Sequence, residues 1–117
     1  MKVLKSNVEN IENEKKLIYK MTKGTRTAFK ELTDEDLDQS WPVDAYLIYE
    51  DSSSDGTTVN TRISILSGNR IIGGQSKPFI DSFSQIIEIM ENDPIAIHVQ
   101  KRVSKQNRAY YTATLDC

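Results

Sequence analysis

The last twenty-odd residues restrict what this chain can fold into more than any other stretch. Ile95, Ile97, Val99 and Val103 alternate with Ala96, His98, Gln100 and Arg102, and residues 109–115 (Ala-Tyr-Tyr-Thr-Ala-Thr-Leu) continue the alternation. Two period-two segments separated by the polar residues 104–108 make a β-hairpin with one apolar face. Burial selects its register. A five-residue loop at 104–108 sets Val103 opposite Ala109, Lys101 opposite Tyr111, Val99 opposite Ala113 and Ile97 opposite Leu115. A slip of one residue would mix isoleucines with threonines on both faces. The outer face then pairs Arg102 with Tyr110, Gln100 with Thr112 and His98 with Thr114, and the tip carries Lys105 and Arg108.

Charge sets the same segment apart. The 117 residues carry a net charge of −2, yet residues 94–115 contain no acid. Residues 15–30 hold six cations and no acid, whereas residues 31–93 hold thirteen acids against Arg62, Arg70 and Lys77. Cations that track a nucleic-acid backbone release its counterions, and an exposed tyrosine offers a face on which a base stacks. The expected contacts are therefore Gln100, Lys101, Arg102, Lys105, Arg108, Tyr110 and Thr112, joined by Arg62 from the polar side of a neighbouring strand. Tyr46 joins them because Val43, Ala45, Leu47 and Tyr49 share one strand face and leave Tyr46 on the other. Trp41 offers further stacking surface. Asp51 and Asp55 count against the loop at 51–57 as a phosphate contact.

Length fits a single domain. Residues 1–16 read as a flexible N-terminal arm and residues 17–117 as one globular domain. Residues 17–22 are expected as a short strand and residues 27–37 as helical, with Thr33 capping a second, acidic turn. Trp41-Pro42 breaks any helix. Strands follow at 43–50, 59–67 and 70–73, the last with Gly73 and Gly74 suggesting a bulge. Ser76 is a natural N-cap with Pro78 in the first turn, and Phe79, Ile80, Phe83, Ile86, Ile87 and Met90 recur at helical spacing over 77–91. From residue 43 the order is strand, strand, strand, helix, strand, strand. The expected fold is thus β-rich α+β: an OB-like five-stranded barrel with one helix between strands three and four, plus an N-terminal strand and short-helix extension. In such a barrel the loops at 51–57 and 104–108 flank the binding groove.

Catalytic and metal readings fail residue by residue. Residues 68–75 have the glycine spacing of a phosphate loop, but Gly74 stands where its lysine belongs. Asp51, Ser53, Asp55 and Gly56 begin like a calcium loop whose twelfth position is Arg62, which cannot coordinate. His98 is the sole histidine and Cys117 the sole cysteine, so one chain offers neither a zinc set nor a Cys–His pair. The acids at 34–38 read as a solvated helix edge. No enzyme activity and no cofactor are expected. With no membrane-length apolar run and no signal-peptide core, a cytoplasmic protein without a membrane partner is expected.

Five segments carry a family resemblance: YLIYED (46–51), the Asp-Gly loop, RISILSG (62–68), QSKPFIDSF (75–83) and SKQNRAYYTATL (104–115). Over about two-thirds of the chain they resemble small single-stranded DNA-binding proteins of phages of Gram-positive bacteria. The resemblance implies an OB-type domain that coats single strands in replication or recombination with little sequence preference, within the host cytoplasm. Its partner would be single-stranded DNA, with RNA left open. Apart from the resemblance, a homo-oligomeric structural component is a further reading. The rival reading is a protein-interaction module, such as a phage-encoded inhibitor of a host or defence protein. Its basis is the acidic centre, which could imitate nucleic acid or dock on a basic host or phage protein.

Overall fold

A strand that changes sheets in mid-course organises the molecule. The computed structural model describes residues 2–8, 14–24, 26–52, 55–91 and 93–116. Its elements run β1 (Lys2–Ser6), α1 (Lys15–Thr22), β2 (Thr27–Ala28), a 3-10 turn (Phe29–Glu31), α2 (Asp34–Asp38), β3 (Trp41–Pro42), β4 (Ala45–Ser52), β5 (Val59–Ser67), β6 (Arg70–Gly74), α3 (Lys77–Met90), β7 (Ala96–Val103) and β8 (Ala109–Leu115). β3 pairs with β7 and β4 pairs with β5, both antiparallel. The switch lies between two neighbouring amides. Val43 N–H donates to the Ile95 carbonyl (3.0 Å), and Asp44 N–H donates to the Leu66 carbonyl (2.9 Å). Two sheets result, one ordered β1-β4-β5-β6-β2 and the other β3-β7-β8. The domain is β-rich α+β.

The inner core lies between the sheets. Tyr46, Ile48, Ile63, Ile65 and Ile72 meet Ile97, Val99 and Ala113, with Phe79, Phe83 and Ile87 of α3 filling the end. The other face of the larger sheet carries Ala45, Leu47, Tyr49 and Ile71, and α1 covers it with Ile18 and Met21. That arrangement corrects the strand expected at 17–22. Ile18 and Met21 would point to opposite sides of a strand, and only the helical period brings both onto one core.

Residues 1–16 also depart from the expected arm. β1 pairs with β4 as an edge strand, Val3 opposite Tyr49 and Ser6 opposite Leu47. Tyr46 N–H donates to Asn7 Oδ1 (2.8 Å), so the backbone beyond β1 is tied down as well. Residues 9–13 of that arm lie outside the described residues. The helix expected over 27–37 is only the 3-10 turn and α2, because Thr27 and Ala28 instead pair in parallel with Ile72 and Gly73. Thr33 does cap α2, in a reciprocal box: Asp36 N–H donates to Thr33 Oγ1 and Thr33 N–H to Asp36 Oδ2, both at 3.1 Å.

The strand at β5 and the helix opened by Ser76 and Pro78 form as expected. All seven hairpin pairs read from burial are present, from Ile97 opposite Leu115 to Val103 opposite Ala109. The described strands do not close into a barrel. β6 gives its free side to β2, and α3 lies along the free side of β8, where Ser82 Oγ accepts Ala113 N–H (2.8 Å) and Ser76 Oγ donates to the Tyr111 carbonyl (3.4 Å). Gly73 and Gly74 mark no bulge, since the β5–β6 register runs unbroken through both. A Cβ at Gly73 would strike the Ile63 carbonyl, and one at Gly74 would press on the Phe29 ring. Close approach explains them.

Ser64 sits in the middle of β5, 0% exposed, and its hydroxyl has no hydrogen-bond partner among the described residues. A buried orphan hydroxyl costs about 1–3 kcal/mol. Ser64→Ala is expected to raise unfolding stability by about 1 kcal/mol in urea titrations, whereas Leu47→Ala opposite it costs about 2–5 kcal/mol. A loss in Ser64→Ala would show a partner for that hydroxyl in solution.

Candidate nucleic-acid interface

The hairpin tip is shaped by one serine. Ser104 Oγ accepts the amides of Gln106 (3.3 Å) and Arg108 (3.2 Å), while Ser104 N–H donates to the Arg108 carbonyl (2.9 Å). Asn107 takes φ of 60°, a left-handed turn position that asparagine tolerates. This closed loop leaves Lys105 and Arg108 exposed at the end of the ribbon. Below them, on the outer face, Arg102 stands opposite Tyr110 and Gln100 opposite Thr112. Arg102 Nη2 donates to Gln100 Oε1 (2.6 Å) and its Nε to Thr112 Oγ1 (3.3 Å), so guanidinium, amide and hydroxyl form one contiguous patch with Tyr110 paired across from Arg102.

The patch ends at an acidic boundary. The His98 ring lies 3.1 Å from the Gln39 carbonyl and 3.2 Å from Asp116 Oδ1, and Ser40 Oγ donates to Asp116 Oδ2 (2.6 Å). Those partners, Ser40 foremost, hold the Asp116 carboxyl below its usual range. Beyond lies α2 with Asp34, Glu35 and Asp38 exposed. α2 is anchored by Asp36, whose Oδ1 accepts from Arg70 Nη1 (2.8 Å) and whose carbonyl accepts from Trp41 Nε1 (3.0 Å). The Arg70 guanidinium also lies 4.8 Å above the Trp41 ring centroid.

Two expected stacking residues are not at the surface. Tyr46 is 5% exposed and meets Phe83 edge-on at 5.2 Å, and burial pushes its phenol pKa up. It lines a cavity of about 690 Å³ together with Asp44, Glu91 and Asp93, the wrong sign for phosphate. Trp41 is 2% exposed. Tyr46 was assigned to an open face of its strand, and both sides of that strand are covered. Arg62 and Lys101 belong to neither the tip nor the outer face. Arg62, half-buried opposite Tyr49, lines a second cavity with Lys30 and Tyr111, and Lys101 lies on the inner side of the hairpin opposite Tyr111.

One surface was missed. Lys15, Lys16, Tyr19, Lys20 and Lys23 are all exposed on the solvent side of α1, and Tyr19 is 66% exposed. Lys23 alone of these has an ion-pair partner among the described residues, Asp51 at 3.6 Å. The run of cations at 15–30 was the signal, but a strand would scatter those side chains over two faces. A helical period gathers them.

The Asp36 carboxyl is lowered from 3.8 to about 2, first by its hydrogen bond from Arg70 and then by the Thr33 amide. A depressed folded-state value stabilises the fold fully above 3.8, and that contribution is lost as the pH falls toward about 2. Urea midpoints are therefore expected to drop across that window, and Arg70→Gln is expected to flatten the drop. An unchanged pH profile in Arg70→Gln would remove this pair as its source.

No protein-family model matches the chain, and neither a curated protein nor a solved structure matches it.

Proposed function

We propose that this protein binds single-stranded DNA without catalysis, in replication or recombination and with little sequence preference. The carrying observation is the outer face of the β7–β8 hairpin, where Arg102 and Tyr110 are direct cross-strand partners between Gln100–Thr112 and the cationic tip. Lys105 and Arg108 meet phosphates, Tyr110 stacks a base, and Gln100 and Thr112 hydrogen-bond whichever base edge or sugar faces them. Stacking and backbone charge tolerate any sequence. The acidic α2 repels the strand at the base of the hairpin and so limits the footprint to its distal half. Lysines and Tyr19 on α1 supply a second cationic, aromatic surface outside the other sheet. An opened OB-like plan suits this reading: the strand order from residue 43 agrees with it, and one strand, β3 with β4, is shared between two sheets.

Trp41 is enclosed, so a dye on the DNA is the better reporter. Anisotropy with 3′-labelled oligo-dT bearing a 5′-hydroxyl is expected to show binding that weakens steeply with salt. Tyr110→Ala should cost about 1–3 kcal/mol of affinity. Replacing Lys105 and Arg108 together by alanine should lower the slope of log K against log salt by about 1.4. No binding at low salt would overturn the proposal and favour docking of the acidic α2 face on a basic protein. Unchanged affinity in Tyr110→Ala would remove the hairpin face from the site.

A further inference from the structure

The place where β6 and β8 fail to pair is a shallow, open cavity of about 320 Å³. Phe29, Lys30, Arg62, Gln75, Ser76 and Tyr111 line it, and among the described residues no carboxylate does. We propose that this cavity binds a nucleoside monophosphate unit, its phosphate held by Arg62 and Lys30 and its base stacked on Tyr111.

Three observations converge on that chemistry. First, Arg62 makes no ion pair among the described residues, and its Nε is enclosed without a hydrogen-bond partner. A guanidinium with no carboxylate partner is free to hold a phosphate, and its enclosed Nε shows a side chain fixed by packing. Second, Gln75 and Ser76, the N-cap of α3, bring an amide and a hydroxyl to the rim. Third, the Tyr111 ring is backed by Phe29, with centroids 6.0 Å apart and planes at 27°, and Phe29 in turn packs on Phe79 at 4.2 Å. A ring held this firmly is a stacking platform with little ordering left to lose.

Size and charge narrow the ligand further. The volume is at the lower end for small-ligand sites, roughly 300–1,000 Å³, which suits one nucleotide unit and no more. A phosphate monoester carries about −1.5 to −2 charges, against about −1 for an internal diester. The two cations Arg62 and Lys30 match the monoester better. Such a group arrives either as a free mononucleotide or as the phosphorylated end of a strand. The site is distinct from the hairpin's outer face, because Tyr110 and Tyr111 point to opposite sides of β8.

The test is calorimetric titration of the full chain with dTMP, thymidine and inorganic phosphate at low salt. dTMP is expected to bind at least about tenfold more tightly than thymidine or phosphate. Arg62→Gln and Tyr111→Leu are each expected to weaken dTMP about tenfold or more, while Tyr110→Ala and Arg102→Ala leave it unchanged. If either cavity variant fails to fold, the exposed Lys30→Gln still reads the site, with a loss of about threefold. Absence of saturable dTMP binding would overturn the proposal. So would phosphate binding as tightly as dTMP, or a loss confined to the Tyr110 and Arg102 variants. A 5′-phosphate that strengthens oligo-dT binding in the wild type, but not in Arg62→Gln, supports the site and assigns it to strand ends. dTMP binding without that gain supports the site for free nucleotides. dTMP makes no use of the hairpin's outer face, so its outcome stands whether or not the oligonucleotide binds there.

Discussion

Strand β4 carries two cores on one backbone. Residues 45–49 are buried without interruption, because alternate side chains enter the inner core and the core under α1. Each large apolar side chain so enclosed stabilises by about 1.5–3 kcal/mol, and the four in succession from Tyr46 to Tyr49 make this segment the hub of the fold. The switch at Val43 and Asp44 extends the hub into the smaller sheet. Both layers, and the helix outside them, thus depend on the stretch from Trp41 to Ser52 keeping its register. A shift of one residue would exchange Tyr46 and Ile48 with Leu47 and Tyr49 and disrupt both cores together.

The otherwise free sides of β4, β6 and β8 are covered by several different devices. β1 pairs with one side of β4, and two residues of β2 pair with β6. β8 meets serines of α3 instead of a strand. These solutions satisfy backbone groups that would otherwise template association. They also keep β6 and β8 apart, which leaves the cavity between Arg62 and Tyr111 where a closed barrel would have a ladder. Opening a barrel converts a line of backbone hydrogen bonds into side-chain-lined space.

Charge follows the layers. Acids of the middle third collect on α2 and around the loop near Asp51 and Asp55, whereas the cations at 15–30 and 94–115 lie mainly on the two outer surfaces, α1 and the hairpin. The Asp36–Arg70–Trp41 cluster joins α2 to β6 and β3, so the acidic element is fixed beside the basic ribbon. Much of the candidate site was legible on this basis. Gln100, Arg102, Tyr110 and Thr112 share a face because a period-two pattern with one apolar side admits a single register. Tyr46 was misplaced because which side of a buried strand meets water depends on what covers it, and its covers, α3 and α1, are remote in sequence.

What the sequence determined by itself is what local periodicity controls: the hairpin with all its pairs, the long helix behind Ser76, the strand at 59–67 and the cap at Thr33. In each, neighbouring side chains alone distinguish the right conformation from its alternatives. Only the tertiary structure decided that residues 15–22 are a helix, that residues 2–6 form a strand and that β6 pairs with Thr27 and Ala28 instead of β8. An eight-residue segment holding Leu17, Ile18 and Met21 suits either period until a sheet face needs covering, and a two-residue parallel bridge leaves no local trace. The cavity behind Tyr111 belongs to the same class, since it exists only because two strands distant in sequence come near each other without pairing.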